Sequence, residues 1–468
     1  MGAVLEKIIV GGLLLVLALS ALAHGAVESW AIALVELSLL ALMLGWGLHC
    51  VVQGRLKLVF PNLMGPLLGL LLLGLFASVA WQSKDGAQQS LSWDVEATRL
   101  ATFTLGCLLI AFLLFANYLI TAKRVLFVTN LLIVFGFALA LFGLLQHFTW
   151  NGKFFWVREP LVLPASPFGP FVNHNHFAGY VEMLLPLPLA MVWMKSIRPE
   201  QRLLYVAMTI LMGVAVFVSL SRGGMVSVVV SLIFVALAGT WAQRRALLKL
   251  GQRQGLIATK GEHRHLLMRF AMLGLLLTVM AAGIWWMAAE PMLDRMARTQ
   301  LSGEAEAGRD TLQKSRGFIW LSTLKMIAAQ PVLGVGFGAY ETAYPQYSQH
   351  DSGVSPIAQA HNDYLQILAD GGLVGGLLAL WFIALLARAV WHGLQHQDTR
   401  LAALSLGAGG GLCALLVHSL FDFNLQLPSN ALLFLWLAAL VSGLGVPSPG
   451  SKPLTPVKRN QAGQGRAS

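Results

Sequence analysis

Apolar runs long enough to cross a bilayer recur along this chain, separated by short polar segments. They predict helices at roughly 7–23, 29–49, 58–80, 98–120, 125–146, 174–194, 203–220, 223–242, 268–289, 372–391, 401–420 and 430–446. The runs are too long and too evenly apolar for barrel strands, which would alternate at every second residue. About twelve transmembrane helices are expected, in an all-α polytopic membrane protein. Three longer polar stretches, 81–97, 147–173 and 290–371, fall on one side. On the other side, 243–267 is basic and polar and reads as a lipid-facing tether. The expected division is 1–289 (nine helices with short loops), 290–371 (a large outer loop with short helices), 372–446 (three helices) and 447–468 (a disordered inner tail). The chain has no visible inverted repeat and no period of 20–50 residues.

Loop charge tests the number of spans. With the N-terminus inside, the inner segments hold 21 of the 32 Lys and Arg but only 4 of the 21 Asp and Glu. Each alternate loop then obeys the positive-inside rule, and a missed or invented helix would reverse the pattern downstream. The net charge of +11 is therefore a topology signal, not a nucleic-acid footprint.

Composition excludes two other classes. Hydrophobic residues make up 57% and charged residues 11%, against about 25% charged in a soluble domain. A soluble enzyme could not cover its surface with so few charges, and a disordered chain would not be so apolar. Cys50, Cys107 and Cys413 have unrelated spacing and suggest neither a disulfide framework nor a zinc site. Ala21-Leu22-Ala23 resembles a signal-peptidase site, but Glu6 cancels Lys7 and an uncleaved helix is expected.

Polar residues cluster at the expected outer face. Ser221-Arg222-Gly223-Gly224 joins two spans with almost no loop. Arg222 is either a turn residue touching head groups or an anion clamp facing a cavity. Residues 311–328 predict a helix ending before Pro331, with Leu312, Ile319, Trp320, Thr323 and Ile327 on the face of Arg316 and Lys314 and Lys325 opposite. Arg316 is thus a cation in a largely apolar stripe, either on phospholipid or aimed at an anionic substrate. Gly334-Val335-Gly336-Phe337-Gly338 forms either a tight turn or an anion cradle.

Residues 360–372 read as a short helix leading into a span and broken at Gly371-Gly372, with His361 at its start. A neutral imidazole there could take a proton from a hydroxyl; otherwise it is a capping residue. Asn173-His174-Asn175-His176 leads into another span, and its paired amides suit a hydroxyl-rich ligand. A metal reading of His174 and His176 lacks a third ligand. His418-Ser419-Leu420-Phe421-Asp422-Phe423-Asn424 is the last polar cluster. The chain contains no Asp-x-Asp, Walker or Gly-x-Ser-x-Gly motif.

Taken in order, these motifs resemble the bacterial O-antigen ligase and O-antigen polymerase family. The matching pieces are Ser221-Arg222-Gly223-Gly224, the Asn-His-Phe-Ala-Gly segment at 175–179, Arg316 upstream of Pro331-Val332-Leu333-Gly334-Val335-Gly336, and His361-Asn362-Asp363-Tyr364-Leu365 before the glycine pair. The likeness covers roughly residues 165–390. It implies a GT-C-like, metal-independent, inverting glycosyltransferase of the bacterial inner membrane with a periplasmic active site. The donor would be a glycan on undecaprenyl diphosphate, the acceptor a glycan or lipid A–core, and no cofactor or nucleic acid would be involved. Carried over, Arg222 and Arg316 would bind the diphosphate and His361 would be the base. Asn173, Asn175, His176, Asp363 and Asp422 are candidate substrate contacts. The alternatives are an O-linked protein oligosaccharyltransferase of the same family and a non-enzymatic lipid-linked oligosaccharide flippase.

Overall fold

The computed structural model describes residues 1–56, 58–82, 88–119, 121–159, 167–254, 274, 316–348 and 357–444. The described residues are mostly helical. The first helices are α1 (Gly2–Leu22), α2 (Ser29–Gln53), α3 (Met64–Ala77), α4 (Val95–Tyr118) and α5 (Ala122–Phe148). Then come α6 (His174–Leu184), α7 (Pro186–Trp193), α8 (Pro199–Val218) and α9 (Arg222–Gln254). After the undescribed stretch follow α10 (Arg316–Ala329), α11 (Tyr340–Ala343), α12 (Asp363–Leu394), α13 (Thr399–His418) and α14 (Pro428–Leu444). A two-stranded hairpin of β1 (Ala80–Gln82) and β2 (Gln88–Ser90) links α3 to α4. Among the described residues, eight helices are long and apolar enough to cross a membrane. The protein is a multi-pass membrane protein.

Helices stand at eleven of the expected span positions, and the span expected at 268–289 lies, apart from Gly274, outside the described residues. Three boundaries differ from expectation. The 58–80 run becomes a helix only at Met64, because Pro61 cannot continue a helix from before it. The 174–194 run is two helices that meet at Leu185–Pro186, where the ring removes an N–H from the ladder. The span expected to end near 242 continues as helix to Gln254, since no Pro interrupts the basic segment.

Polar contacts tie neighbouring helices and loops together. At one end, Arg124 at the start of α5 pairs with Glu6 of α1, and His49 of α2 meets the Tyr118 hydroxyl of α4 at 2.7 Å. At the other end, His24 Nδ1 lies 2.9 Å from the Pro170 carbonyl, and Trp93 N–H donates to the Val335 carbonyl at 2.9 Å. The core is apolar and runs through the bundle, with Leu13 and Leu17 of α1, Phe112 and Phe115 of α4 and most of α13 and α14 buried.

One break in the bundle positions the site. Gly372 interrupts α12 with φ 61 and ψ −158. The N–H groups of Leu373 and Val374 then donate to the carbonyls of Pro331 and Val332, at 2.8 and 3.2 Å. A Cβ at Gly372 would collide with the Val332 carbonyl, so the left-handed backbone and the close approach both require glycine. The kink thus ties the segment after α10 to α12.

Candidate functional site

The site forms where α10, the start of α12 and the turn after α13 meet. Arg316 and Trp320 lie one turn apart on α10 and share a face. Trp320 Nε1–H donates to the Ala360 carbonyl at 3.0 Å, so this face docks on the residue before His361. Ile319 and Thr323 are buried and Lys325 is exposed, as the helical stripe predicts. Helix α10 packs on α12; Leu312 and Lys314 lie outside the described residues.

A zip of hydrogen bonds joins the start of α12 to the 419–425 turn. Asn362 caps α12 by accepting from the N–H groups of Tyr364 and Leu365, and its Nδ2 donates to the Leu420 carbonyl at 3.0 Å. Asp363 N–H donates to the Ser419 carbonyl at 2.9 Å. Asp363 Oδ2 accepts from Ser419 Oγ at 2.7 Å and from Leu425 N–H at 3.2 Å. Asp363 Oδ1, also buried, has no hydrogen-bond partner. The carboxylate therefore holds the two turns together.

This zip sets His361 against Asp422. His361 adopts the left-handed region, with φ 51, which is uncommon outside glycine and costs about 1 kcal/mol or more. Its Nδ1 lies 3.2 Å from Asp422 Oδ1. Arg316 approaches Asp422 Oδ2 at 3.5 Å, the outer limit of a hydrogen bond. The Asp422 side chain is 1% exposed, while those of His361 and Arg316 are 34% and 41% exposed. Asp422 is thus a buried anchor, and the imidazole and guanidinium remain open to a ligand.

Burial pushes the Asp422 carboxyl up. The hydrogen bond from His361 and the nearby charges of His176, His361 and Arg316 outweigh burial and hold it well below the usual carboxylate range. An ionised carboxylate only accepts, so His361 Nδ1 carries the proton that it donates. In the neutral ring, the lone pair is then on Nε2.

The remaining expected residues are near this centre with different surroundings. Arg222 is exposed at the start of α9 and makes no ion pair among the described residues. Gly223 beside it packs on His418 and Phe421, which places the start of α9 against the Asp422 turn. His176 and His361 each set their rings edge-on to Phe423, with centroids 4.9 Å away. His176 is buried and its Nε2 has no partner. Asn173 is the cap of α6 and accepts from Asn175 N–H at 2.8 Å; Asn175 is half-buried. The glycine-rich turn is no anion cradle at three of its N–H groups. Those of Gly334, Val335 and Gly336 are spent on the carbonyls of Gln330, Ala369 and Asp370. Among the described residues, no three His, Cys, Asp or Glu side chains are placed to hold a metal ion.

Sequence reasoning gave no role to Glu182, Ser419 and Phe423. Glu182 had a usable signal, a single acid inside the apolar 174–194 run. Ser419 and Phe423 had none beyond adjacency to Asp422. Beside the site, an apolar cavity of about 520 Å³ is lined by Leu67, Leu105 and Phe382 as well as Asp363, Ser419 and Phe423.

Residues 207–380 match the family model described as O-antigen ligase. The matched stretch contains Arg222, Arg316, His361 and Asp363, and it ends before Asp422. No curated protein matches the chain.

Proposed function

With an O-antigen ligase family domain in the middle of the chain, we propose that the protein transfers a glycan from undecaprenyl diphosphate to an acceptor hydroxyl. The acceptor is another lipid-linked glycan or lipid A–core, and the stereochemistry inverts at the anomeric carbon. The observation that carries this reading is the convergence of His361 and Arg316 on one buried carboxylate, Asp422, at 3.2 and 3.5 Å. It puts a proton acceptor and a cation side by side, both partly exposed.

In the proposed reaction, Asp422 holds the His361 Nδ1–H and aims Nε2 at the acceptor hydroxyl. Nε2 takes the hydroxyl proton as the oxygen attacks the anomeric carbon. The bond to the diphosphate breaks on the opposite side, and the leaving group departs with the electron pair. Arg316 and Arg222 stabilise the growing charge with forked, charge-assisted hydrogen bonds. Cleavage of the glycosyl–diphosphate bond supplies the driving force. The apolar cavity beside Asp363 and Phe423 suits a polyprenyl chain.

The direct test is release of undecaprenyl diphosphate by the purified protein, matched by glycan on the acceptor. Donor that crosses the membrane without being cleaved would sink the proposal. Lysine should not replace either arginine, because an ammonium cannot fork onto a diphosphate. Loss of one charge-assisted contact, ~1.5–3 kcal/mol, lowers turnover roughly 10- to 150-fold. Arg222→Lys and Arg316→Lys should each fall in that range in a product assay. Near-normal product at wild-type protein levels would return both residues to lipid contact.

We also place the site at the periplasmic face of the bacterial inner membrane, with both termini in the cytoplasm. The support is the excess of cations in the opposite segments. Single cysteines at Gly303 and Gln252 should react with an impermeant thiol reagent from opposite sides. Labelling of both from one side overturns this topology.

A further inference from the structure

Behind the site lies a second ionisable pair that the proposed reaction does not use. Glu182 of α6 and His418, the last residue of α13, are both buried. His418 Nδ1 lies 3.0 Å from Glu182 Oε1 and 3.1 Å from Oε2. A carboxylate inside an apolar bundle is costly unless it is paired, and breaking such a pair leaves the other partner buried alone.

His418 is also where three segments of the site meet. Its carbonyl accepts from Phe421 N–H at 2.8 Å and Asp422 N–H at 3.0 Å, which closes the turn that presents Asp422. The start of α9 stands against its ring. A Cβ on Gly223 would come within 2.6 Å of His418 Cδ2 and 2.8 Å of Nε2. Gly223 directly follows Arg222. Glu182 grips the same ring from α6, the helix that begins with His174, Asn175 and His176. The His418 ring therefore touches α6 and the arginine-bearing start of α9, while its main-chain carbonyl holds the Asp422 turn.

We propose that Glu182 and His418 form a positioning pair that holds Arg222 in register with the Arg316–Asp422–His361 cluster. Glu182 fixes the plane of the His418 ring, and the fixed ring is the surface on which the start of α9 rests. Neither side chain reaches substrate, since both are buried. The inference rests on the roles given above to Arg222 and His361.

A double-mutant cycle on the purified full-length protein tests it, with kcat and donor KM measured for Glu182→Ala, Arg222→Lys and the pair together. If Glu182 acts through the placement of Arg222, the two losses are not multiplicative. Glu182→Ala alone lowers kcat roughly 5- to 50-fold, and in the Arg222→Lys background it costs less than about threefold. Glu182→Gln, which keeps an oxygen acceptor for Nδ1–H, stays within about threefold of wild type. A residue that merely holds two helices together would instead give multiplicative losses in parallel with a fall in Tm, and that result overturns the pairing. If Glu182→Ala does not yield folded protein, His418→Gln takes its place in the cycle with the same expectation. Wild-type turnover of Arg222→Lys would sink the parent reading and this inference together. Multiplicative losses on a damaged Arg222→Lys background would sink the positioning pair alone.

Discussion

His361→Ala is expected to abolish glycan transfer while leaving donor-lipid binding nearly intact. The expectation follows from what each atom of the ring does. Nδ1–H is committed to Asp422 at 3.2 Å, so only Nε2 is left for chemistry. A ring 34% exposed at the edge of the cluster can meet an acceptor hydroxyl. A positioned general base contributes roughly 10²–10⁴-fold, and alanine removes all of it. The donor diphosphate is assigned to the guanidinium groups of Arg222 and Arg316, which alanine at 361 does not touch. Arg222→Ala and Arg316→Ala should therefore weaken donor binding as well as turnover. The measurement is donor-lipid affinity beside product formation on the three purified variants. If His361→Ala retains turnover, or loses donor binding as badly as the arginine variants, the imidazole is not the base. Asp363, whose buried Oδ1 has no partner, would then have to be reconsidered.

The bilayer made much of the architecture legible. It demands long apolar helices and sorts charge by side, so run length gave the helices and loop charge predicts their alternation. Contacts such as Glu6–Arg124 and His24–Pro170 tie neighbouring segments together. The 3.6-residue period gave part of the buried face of α10, Ile319 and Thr323, but not Ser322 and Met326, and Gly372 gave the kink of α12, a local consequence of backbone geometry. The end of α9 was less legible, since hydropathy does not report where a polar segment stops being helical, and the start of α3 was set by Pro61 rather than by hydropathy.

The site was legible in its parts and not in its assembly. Arg316 was visible as a cation in a largely apolar stripe, and His361 and Asp422 as polar residues beside an apolar run. Nothing in the spacing said that a carboxylate 61 residues beyond His361 would carry its Nδ1 proton. Asp422 was expected as a substrate contact, whereas its 1% exposure makes it an anchor for groups that can touch substrate. Asn173 was expected in the same role, and its side chain is used as a helix cap. Such residues look alike in sequence because capping, anchoring and ligand binding all use the same short polar side chains. Only the neighbours across the chain separate them.

Asp422→Asn is the variant that separates anchoring from simple charge. The carboxylate accepts from His361 Nδ1–H, from Phe423 N–H and, at longer range, from Arg316. An amide can turn its NH₂ toward Nδ1, which forces the ring proton onto Nε2 and removes the lone pair from the reacting side. Loss of the orienting carboxylate in a comparable base–carboxylate pair lowers turnover by about 10⁴-fold, so roughly 10²–10⁴-fold is expected here. The pH dependence of stability gives a second readout with a definite sign. Burial raises the Asp422 carboxyl, but His361, His176 and Arg316 depress it overall. Its contribution is therefore present above the ordinary carboxylate value, ~3.9, and is lost as pH falls from there through the depressed folded value. The Tm difference between wild type and Asp422→Asn should persist at neutral pH and close below pH ~4. Turnover within about threefold of wild type would show that His361 does not need this carboxylate. A Tm gap that stays constant through strong acid would show that the charge at Asp422 is not what stabilises its contacts with His361 and Arg316.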